Sequence, residues 1–446
     1  MLLFGTDGIR APFGQYPLDR PTVTTLGFRL GETLAHETGD PTVIIGGDTR
    51  QSTPEISQWL AAGLTAAGTR ARFAGVVPTP AIAMLVGRLG ADAGIAVSAS
   101  HNPHPDNGIK LFDRQGFKWD PVAEAELESL LTDPWVCTAR LERTLAIDPS
   151  LAQTYIDSLL DFGGRHDSLA GLKIVVDAAN GAASPFAAPI FRQLGAEVVM
   201  IGDQPDGRNI NAGCGSTVPE PMARVVAERG ADLGVAFDGD ADRVILADDK
   251  GQVRDGDAMI FLWARELVSR GDLEPPRIVA TSMSNLGLER ALEPLGISVV
   301  RCDVGDRTVV ATMRQERVRL GGEQSGHIVN TDLTTTGDGL LTAIQIALIT
   351  QRGVGALSTQ LTEFRRYPQV LRNLRVERKP DLQSLPGVVA ARAEVESQLG
   401  SQGRLVLRYS GTEPLARVMI EGPDGEEIER LAALLIETLD QEIGKL

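Results

Sequence analysis

The sequence is poor in residue types that mark whole classes of protein. Its 446 residues include only three cysteines, and aromatic side chains make up 4%. Cys137, Cys214 and Cys302 lie far apart with no CxxC pair, which excludes a disulfide framework and a cysteine zinc site. The shortage of aromatic rings argues against platforms that stack nucleobases.

Long apolar runs and positive charge are also scarce. No apolar run approaches the ~18 residues that a membrane span needs, and the amino terminus turns polar too early for a signal peptide. Asp and Glu number 59 against 43 Lys and Arg, a net charge of −16. This balance disfavours nucleic acid and anionic membranes as partners, because both require a basic surface. A cytoplasmic protein is therefore expected.

Enough apolar material is present for several folded domains. Hydrophobic residues make up 43% of the chain, and its length predicts about two to four domains. Three stretches share one order of elements: a buried strand, a polar turn, a helix that ends at glycine, and a returning strand. Their first strands are residues 42–45, 173–176 and 277–280, and the first helix is predicted over about 53–67. This order is typical of βαβ units in a mostly parallel sheet.

The carboxyl-terminal part follows a different order, with strands at 405–407 and 417–420 and an amphipathic helix over 426–443. The fold class expected is thus α/β, with three related α/β domains and a smaller α+β domain. The predicted divisions are residues 1–148, 149–251, 252–365 and 366–446.

Three aspartates stand two residues apart in the segment DGDADR, directly after an apolar strand. Asp238, Asp240 and Asp242 are predicted to converge, and three neighbouring carboxylates repel one another unless a cation lies between them. Oxygen-only ligation suits Mg²⁺. An EF-hand is excluded because Arg243 occupies the position that needs glycine. A solvated acidic turn is the alternative.

A loop dense in turn-forming residues, SASHNP, follows the strand that ends at Val97. Ser100 is a candidate nucleophile or phosphate carrier, His101 its orienting partner, and Lys110 a cation that balances phosphate charge or moves a proton. On spacing alone, a capped turn is the alternative reading of the serine and histidine.

Two further segments carry polar side chains in glycine-rich turns. In GEQSGH, an extended loop would point Glu323, Ser325 and His327 the same way, which suits the hydroxyl groups of a sugar. A turn with solvated side chains is the alternative there. In RYSGTEP, arginines, hydroxyls and backbone N–H groups predict a phosphate cradle. Its candidate ligands are Arg408, Ser410, Gly411, Thr412 and Arg417.

In this order and spacing, the four segments resemble the motifs of the α-D-phosphohexomutase superfamily. That superfamily carries a TASHNP-like serine loop, a DGDxDR metal loop, a GExSGH sugar loop and an RxSGTEP phosphate loop. The segment FGTDGIR and Gln324, where phosphoglucomutase and phosphomannomutase relatives carry methionine, resemble the bacterial branch that acts on glucosamine phosphates. Ala11, Ala241 and Ala416 depart from the usual pattern without removing a polar group.

The resemblance implies a heart-shaped molecule of four domains around a central cleft, each domain supplying one loop. It implies that Ser100 is carried as phosphoserine and that Mg²⁺ is held by Asp238, Asp240, Asp242 and that phosphate. Glu323, Ser325 and His327 would bind the sugar. The phosphate groups would face the cations Arg10, Lys110, Arg243, Arg408 and Arg417.

The resemblance also implies the reaction. Glucosamine 6-phosphate and glucosamine 1-phosphate would interconvert through a hexosamine bisphosphate, with Lys110, or more weakly Arg10 or His327, moving protons. The expected partner is a small-molecule hexosamine phosphate, and the expected state is a monomer or homodimer. Alternatives are a phosphoglucomutase or phosphomannomutase of the same superfamily, a non-catalytic sugar-phosphate sensor, and a phosphoserine phosphatase.

Overall fold

A computed structural model describes residues 3–5, 7–132, 145–162, 168–410 and 414–444, and its strands form four sheets. The chain divides into two compact units. The first is Met1–Met283 with Ile297–Thr362, and the second is Ser284–Gly296 with Glu363–Leu446. The first three sheets lie in the first unit and the fourth lies in the second.

The first sheet has the strand order β1-β5-β4-β2-β3. Its strands are β1 (Ile9–Pro12), β2 (Thr42–Gly47), β3 (Arg70–Val76), β4 (Ala93–Val97) and β5 (Asp106–Phe112). The helices of this part are α1 (Arg20–Thr38), α2 (Thr53–Ala66), α3 (Thr79–Leu89), α4 (Pro121–Ser129) and α5 (Pro149–Phe162). A core of aliphatic and aromatic side chains fills the space between the sheet and α1 and α2. The predicted helix over 53–67 is thus confirmed.

The second sheet has the order β10-β9-β8-β6-β7. Its strands are β6 (Lys173–Asp177), β7 (Glu197–Ile201), β8 (Leu233–Phe237), β9 (Val244–Asp248) and β10 (Val253–Arg254), with helices α6 (Ala187–Gln193) and α7 (Glu220–Arg229). The apolar helix α8 (Gly256–Arg270) follows, and its residues 256–264 are buried.

The third sheet has the order β12-β11-β13-β14. Its strands are β11 (Arg277–Thr281), β12 (Ser298–Cys302), β13 (Leu320–Gly322) and β14 (Ile328–Asn330). The helices of this stretch are α9 (Leu286–Leu292), α10 (Asp306–Glu316), α11 (Gly339–Arg352) and α12 (Leu357–Gln360). Of these, α9 belongs to the second unit.

The second unit contains a three-stranded antiparallel sheet of order β15-β17-β16 with helices on it. Its elements are β15 (Gln369–Arg375), α13 (Pro386–Leu399), β16 (Arg404–Tyr409), β17 (Leu415–Glu421) and α14 (Gly425–Ile443). This confirms the predicted strands and closing helix, and with them the expected fold class of three α/β parts and one α+β part. The division at residues 148, 251 and 365 remains a proposal.

The first three sheets repeat one topology. In the first sheet β1 is an additional edge strand that pairs antiparallel with β5. Apart from β1, the first strand of each sheet lies between the second and the third, these three strands are parallel, and the fourth strand pairs antiparallel with the third. The parallel strands of the predicted βαβ units are thus present in each sheet, and the antiparallel fourth strand makes each sheet mixed. The link between third and fourth strands carries the serine loop in the first sheet, the aspartate loop in the second and the GEQSG segment in the third. Three of the predicted motifs thus occupy equivalent positions.

Candidate active site

Ser100 lies in the connection between β4 and β5 and is buried. Its backbone adopts the left-handed region, with φ +53°. The Ser100 hydroxyl donates to Asp238 Oδ2 at 2.6 Å and lies 3.2 Å from His101 Nδ1. The serine loop and the aspartate loop, which are 138 residues apart in sequence, therefore meet at these two side chains.

Close approach of the two loops depends on a residue without a side chain. A Cβ placed on Gly239 would lie 2.5 Å from the Ser100 carbonyl oxygen and 2.8 Å from Asn211 Nδ2. Both distances are shorter than any real carbon contact allows, so a larger residue at this position would push the loops apart.

The three aspartates converge on one point. Each offers a carboxylate oxygen within 4.8 Å of the others, and all three side chains are buried. Asp240 Oδ1 and Asp242 Oδ1 have no hydrogen-bond partner among the described residues. Buried carboxylate oxygens without partners cost free energy, and these oxygens could instead serve as ligands of a hard cation. The chemistry of this donor set therefore fits a divalent metal ion.

Electrostatics distinguish the three carboxyls. Burial, and then the charges of Asp242 and Asp240, raise the pKa of Asp238 well above its ordinary value. Burial also disfavours ionisation of Asp242, but the electrostatic effects of Lys110, then of His327 and Arg243, outweigh burial and lower the pKa of Asp242 to about 2. A cation bound between the three carboxylates would offset the free-energy cost of ionising Asp238.

Lys110 is fully buried on β5 and faces carboxylates from two loops. Its Nζ lies 2.9 Å from Asp240 Oδ2 and 3.2 Å from Asp242 Oδ2. A third carboxylate, Asp7, lies 3.2 Å away. Burial opposes the charge, but Asp240, Asp7 and Asp242 together raise the pKa of Lys110 well above its usual value. The side chain is thus an ammonium beside the triad.

Two arginines approach the serine loop from different segments. Arg10 forms an ion pair with Asp7 and lies 3.4 Å from Asn102 Oδ1, and Arg243 Nη1 lies 3.4 Å from His101 Nδ1. The Nε atoms of both arginines have no hydrogen-bond partner among the described residues. Burial, followed by the charges of Arg243 and Arg10, lowers the pKa of His101. This arrangement offers N–H donors to an anion at Ser100.

The GEQSG segment forms a turn and not the extended loop that the sequence suggested. The N–H of Gly326 donates to the Glu323 carbonyl oxygen at 3.0 Å, and Gly326 adopts φ +92°. A Cβ at Gly326 would lie 2.0 Å from the Val244 carbonyl oxygen, so the turn packs directly on β9. Ser325 Oγ still lies 3.3 Å from Glu323 Oε2. The two side chains share a cavity of about 330 Å³ lined by Arg243, Thr281, Met283, Val304, Glu323, Gln324 and Ser325.

His327 points elsewhere and joins a charged network that sequence reasoning missed. Its Nε2 accepts from the Gly337 N–H at 3.2 Å and lies 3.7 Å from Asp306 Oδ2. Lys118 bridges Asp306 and Asp7 with two close ion pairs. His327 is buried, and its Nδ1 has no hydrogen-bond partner in the described part of the chain. FGTDGIR drew attention to Arg10, but the aspartate of that segment is what connects this network to Lys110.

The predicted phosphate cradle lies in the second unit. Arg408 on β16 and Arg417 on β17 face each other in the antiparallel register, and Ser410 follows β16. Lys379 Nζ donates to the Ser410 carbonyl oxygen at 2.5 Å, which adds a cation that the motif did not reveal. Gly411 and Thr412 lie outside the described residues.

Comparison with known proteins identifies the family. Four profiles of the phosphoglucomutase/phosphomannomutase family match: alpha/beta/alpha domains I, II and III at residues 1–134, 153–251 and 255–367, and the C-terminal domain at 371–438. A phosphoglucosamine mutase from Gluconacetobacter diazotrophicus is 46% identical over 98% of this chain and 97% of its own. One from Solibacter usitatus is 42% identical over 99% of both chains. The chain therefore belongs to the phosphoglucomutase/phosphomannomutase family.

Structural comparison gives the same assignment. A crystal structure of a phosphoglucomutase/phosphomannomutase family protein from Burkholderia thailandensis superposes with a TM-score of 0.80 at 26% identity, covering 99% of this chain and 97% of that one. The chain is thus an isomerase of the phosphoryl-transferring type, as the motifs predicted. Within the described ranges, every helix is too short or too polar to cross a membrane.

Proposed function

We propose that the chain is a phosphoglucosamine mutase, which interconverts glucosamine 6-phosphate and glucosamine 1-phosphate through phosphoserine at Ser100. The observation that carries the proposal is the 2.6 Å contact between Ser100 Oγ and Asp238, in a family whose curated relatives bear this name. Those relatives do not favour the phosphoglucomutase or phosphomannomutase alternative. We expect a cytoplasmic protein, monomeric or homodimeric, acting on a small hexosamine phosphate.

The first half-reaction moves a phosphoryl group from Ser100 to the sugar. The bond between phosphorus and Ser100 Oγ breaks as a bond forms from phosphorus to the free sugar hydroxyl, and Ser100 Oγ receives the proton that the hydroxyl loses. The product of this half is a hexosamine bisphosphate. In the second half, after the bisphosphate has reoriented, Ser100 Oγ attacks the phosphorus of the other phosphate. The bond from that phosphorus to the sugar oxygen breaks, and the sugar oxygen takes the proton that Ser100 Oγ loses, which releases the isomer. Lys110, whose ammonium lies 2.9 Å from Asp240 and 3.2 Å from Asp242, is the proposed carrier of this proton, with Arg10 and His327 as weaker candidates.

Asp238, Asp240 and Asp242, together with a phosphoserine oxygen, are the proposed ligands of Mg²⁺. When bound, the cation would neutralise charge that develops on the transferring phosphoryl group. Arg243, Arg10 and His101 would donate hydrogen bonds to that group from the protein side. Glu323 and Ser325 would hold sugar hydroxyls, and Arg408, Ser410, Gly411, Thr412 and Arg417 would bind the phosphate that is not reacting.

A substrate panel tests the proposal. Purified protein with Mg²⁺ and a trace of sugar bisphosphate is assayed with the 6-phosphates of glucosamine, N-acetylglucosamine, glucose and mannose, and kcat/KM is compared. The highest value is expected for glucosamine 6-phosphate, with inorganic phosphate released far more slowly than isomer. Intact mass should show one phosphate that Ser100→Ala abolishes. Faster release of phosphate than of isomer would indicate a phosphatase, and no turnover by protein phosphorylated at Ser100 would refute the proposal.

A further inference from the structure

Arg50 has no part in any of the four motifs, yet it holds the loop that carries Ser100. The side chain is fully buried, at the end of the turn that follows β2. We propose that Arg50 is a positioning residue that fixes Ser100 for phosphoryl transfer. The inference rests on the proposed function, because it assigns to Arg50 a role in the reaction at that serine.

All five donors of the Arg50 guanidinium are used. Its Nε donates to Asp48 Oδ2 at 2.8 Å. Its four remaining N–H groups donate at 2.6 to 3.0 Å to the backbone carbonyl oxygens of Ser100, Asn102, Pro103 and Asp106. Three of these four carbonyls belong to the connection between β4 and β5 that carries Ser100, and the fourth, that of Asp106, belongs to the first residue of β5. Four of the five donors thus bind carbonyls in and next to the loop that carries Ser100, which indicates that Arg50 holds this loop and does not only stabilise the sheet.

Asp48 ties the same loop a second time. It accepts from the Ser98 hydroxyl at 2.6 Å, and Ser98 Oγ in turn accepts from the Ser100 N–H at 2.9 Å. Arg50 therefore acts on the carbonyl of Ser100 and Asp48 acts, through Ser98, on its amide. Both ends of one residue are fixed by one buried ion pair.

These hydrogen bonds to the backbone of Ser100 are needed because of the conformation of this residue. A left-handed backbone is unfavourable for any residue with a Cβ, so it persists only where the surroundings determine it. In this conformation the Ser100 hydroxyl meets Asp238. Relaxation of the loop to an ordinary conformation would move Oγ away from the carboxylate.

Asn211, in the segment that follows β7 of the second sheet, provides a further hydrogen bond to the backbone of Ser100. Its Nδ2 donates to the Ser100 carbonyl oxygen at 2.9 Å, beside the hydrogen bond from Arg50. Asn211 itself has φ +59°, a conformation that glycine can also adopt. Replacement by glycine would thus remove the donor while preserving the backbone.

The test uses Arg50→Lys in the full-length enzyme. Lysine keeps the charge but loses the planar fork, so it cannot reach four carbonyls. We expect kcat with glucosamine 6-phosphate to fall about 100-fold while KM changes less than about threefold, because a misplaced nucleophile affects the chemical step and not binding. In a single turnover with sugar bisphosphate, the rate at which Ser100 gains phosphate, followed by intact mass, should fall by the same factor. All rates are measured well below the Tm of each variant.

Arg72→Lys is the matched control. Arg72 lies on β3 of the same sheet and donates to Asp148 at 2.7 and 3.1 Å, but in the described structure it contacts no residue of the serine loop. Its kcat should equal that of the wild type. If Arg50→Lys folds and phosphorylates Ser100 at the wild-type rate, the inference is wrong.

Asn211→Gly covers the case in which Arg50→Lys does not fold. A fall in kcat of about tenfold is expected, in line with the loss of one donor to the Ser100 carbonyl. An unchanged kcat in Asn211→Gly would then overturn the inference. If the wild type itself transfers no phosphate to Ser100, the proposed function is wrong and this inference falls with it. If the wild type transfers phosphate and the variants transfer it at the same rate, the inference is wrong and the proposed function stands.

Discussion

The Thr79 hydroxyl donates a hydrogen bond of 2.6 Å to Asp240 Oδ2, and the Thr79 N–H donates to the Asp240 carbonyl oxygen at 3.0 Å. Thr79 is the first residue of α3, so the carboxylate is oriented by a rigid element. Lys110 approaches the same oxygen, which leaves Asp240 Oδ1 without a partner among the described residues. Thr79 therefore determines which oxygen of Asp240 is presented to a metal ion.

Thr79→Val should weaken Mg²⁺ binding about tenfold, because groups that orient metal ligands typically contribute 10- to 100-fold to affinity. Valine has nearly the same shape, so kcat at saturating Mg²⁺ should stay close to that of the wild type. Titration of activity and of Tm against Mg²⁺ measures the shift. Thr69→Val, the same change at another buried threonine whose hydroxyl bonds only the Gly31 carbonyl oxygen in the described structure, should leave the titration unchanged.

Asp238→Asn and Asp242→Asn should affect the metal-free protein in opposite directions. Burial and the neighbouring carboxylates raise the pKa of Asp238, so its charge destabilises the fold, and neutralising it should raise the metal-free Tm by a few degrees. Despite its burial, Asp242 has a pKa of about 2 because of Lys110 and other cations, so its charge is favourable and its loss should lower the Tm. Thermal unfolding at pH 7.5 in EDTA measures both.

With Mg²⁺ the same two variants should behave alike. Each loses one of three ligands, so the rise in Tm on adding Mg²⁺ should disappear and turnover should fall at least about 1,000-fold. Retention of the Mg²⁺-dependent rise in either variant would mean that its carboxylate is not a ligand. Equal Tm shifts in EDTA would contradict the electrostatic argument and leave the metal assignment standing.

The repeated topology and the triad could be predicted because their signals are local. Each βαβ unit spans a continuous stretch whose apolar runs and glycines mark strands and helix ends, as the predicted helix over 53–67 shows against the observed Thr53–Ala66. The aspartates stand two residues apart, and side chains two residues apart share a face of an extended segment, so the spacing alone predicts that the three carboxylates converge. The grouping of motifs at equivalent strand ends follows from the same regularity.

The neighbours of those residues could not be predicted. Thr79 reaches Asp240 across 161 positions and Lys118 reaches Asp306 across 188, and no spacing rule connects residues so far apart. The extended conformation predicted for GEQSG is wrong, because Gly326 at φ +92° closes the segment into a turn, in which side chains do not alternate as they do along a strand. Arg50 was missed because a buried arginine and a surface arginine look identical in a sequence.

Arg408→Met and Arg417→Met should both impair substrate binding. The two arginines face each other across β16 and β17, and like charges in this position repel. Removing Arg408 should leave Tm unchanged or slightly higher. Either substitution should raise KM for glucosamine 6-phosphate about tenfold or more, since an arginine–phosphate contact is charge-assisted. Arg372→Met on β15 of the same sheet, where Arg372 pairs with Glu429 at 2.6 Å, is the control and should leave KM unchanged.

Asp338 should make the stability of the protein depend on pH. It caps the amino end of α11, accepts from Tyr155 Oη at 3.0 Å and is buried, and burial raises its pKa to about 6. In the unfolded chain an aspartate titrates near 3.9, roughly two pH units lower. Its contribution is therefore fully present below about pH 4 and is lost as pH rises through about 6, on the order of 2–3 kcal/mol in all.

Asp338→Asn removes that titration while an amide oxygen can still cap the helix. The excess of the variant over the wild type in free energy of unfolding should be about 2 kcal/mol larger near pH 7.5 than near pH 4.5, because only the wild type must ionise a buried carboxyl as the pH rises. Chemical denaturation across this range measures the difference. Tyr155→Phe provides the converse case, since the Tyr155 hydrogen bond lowers the pKa of Asp338 and its loss should move the midpoint above 6. A difference in free energy of unfolding between Asp338→Asn and wild type that did not change with pH would contradict this argument. It would show that the pKa of Asp338 is the same in the folded and unfolded chain, because the hydrogen bonds to its carboxylate fully offset the cost of burying the charge.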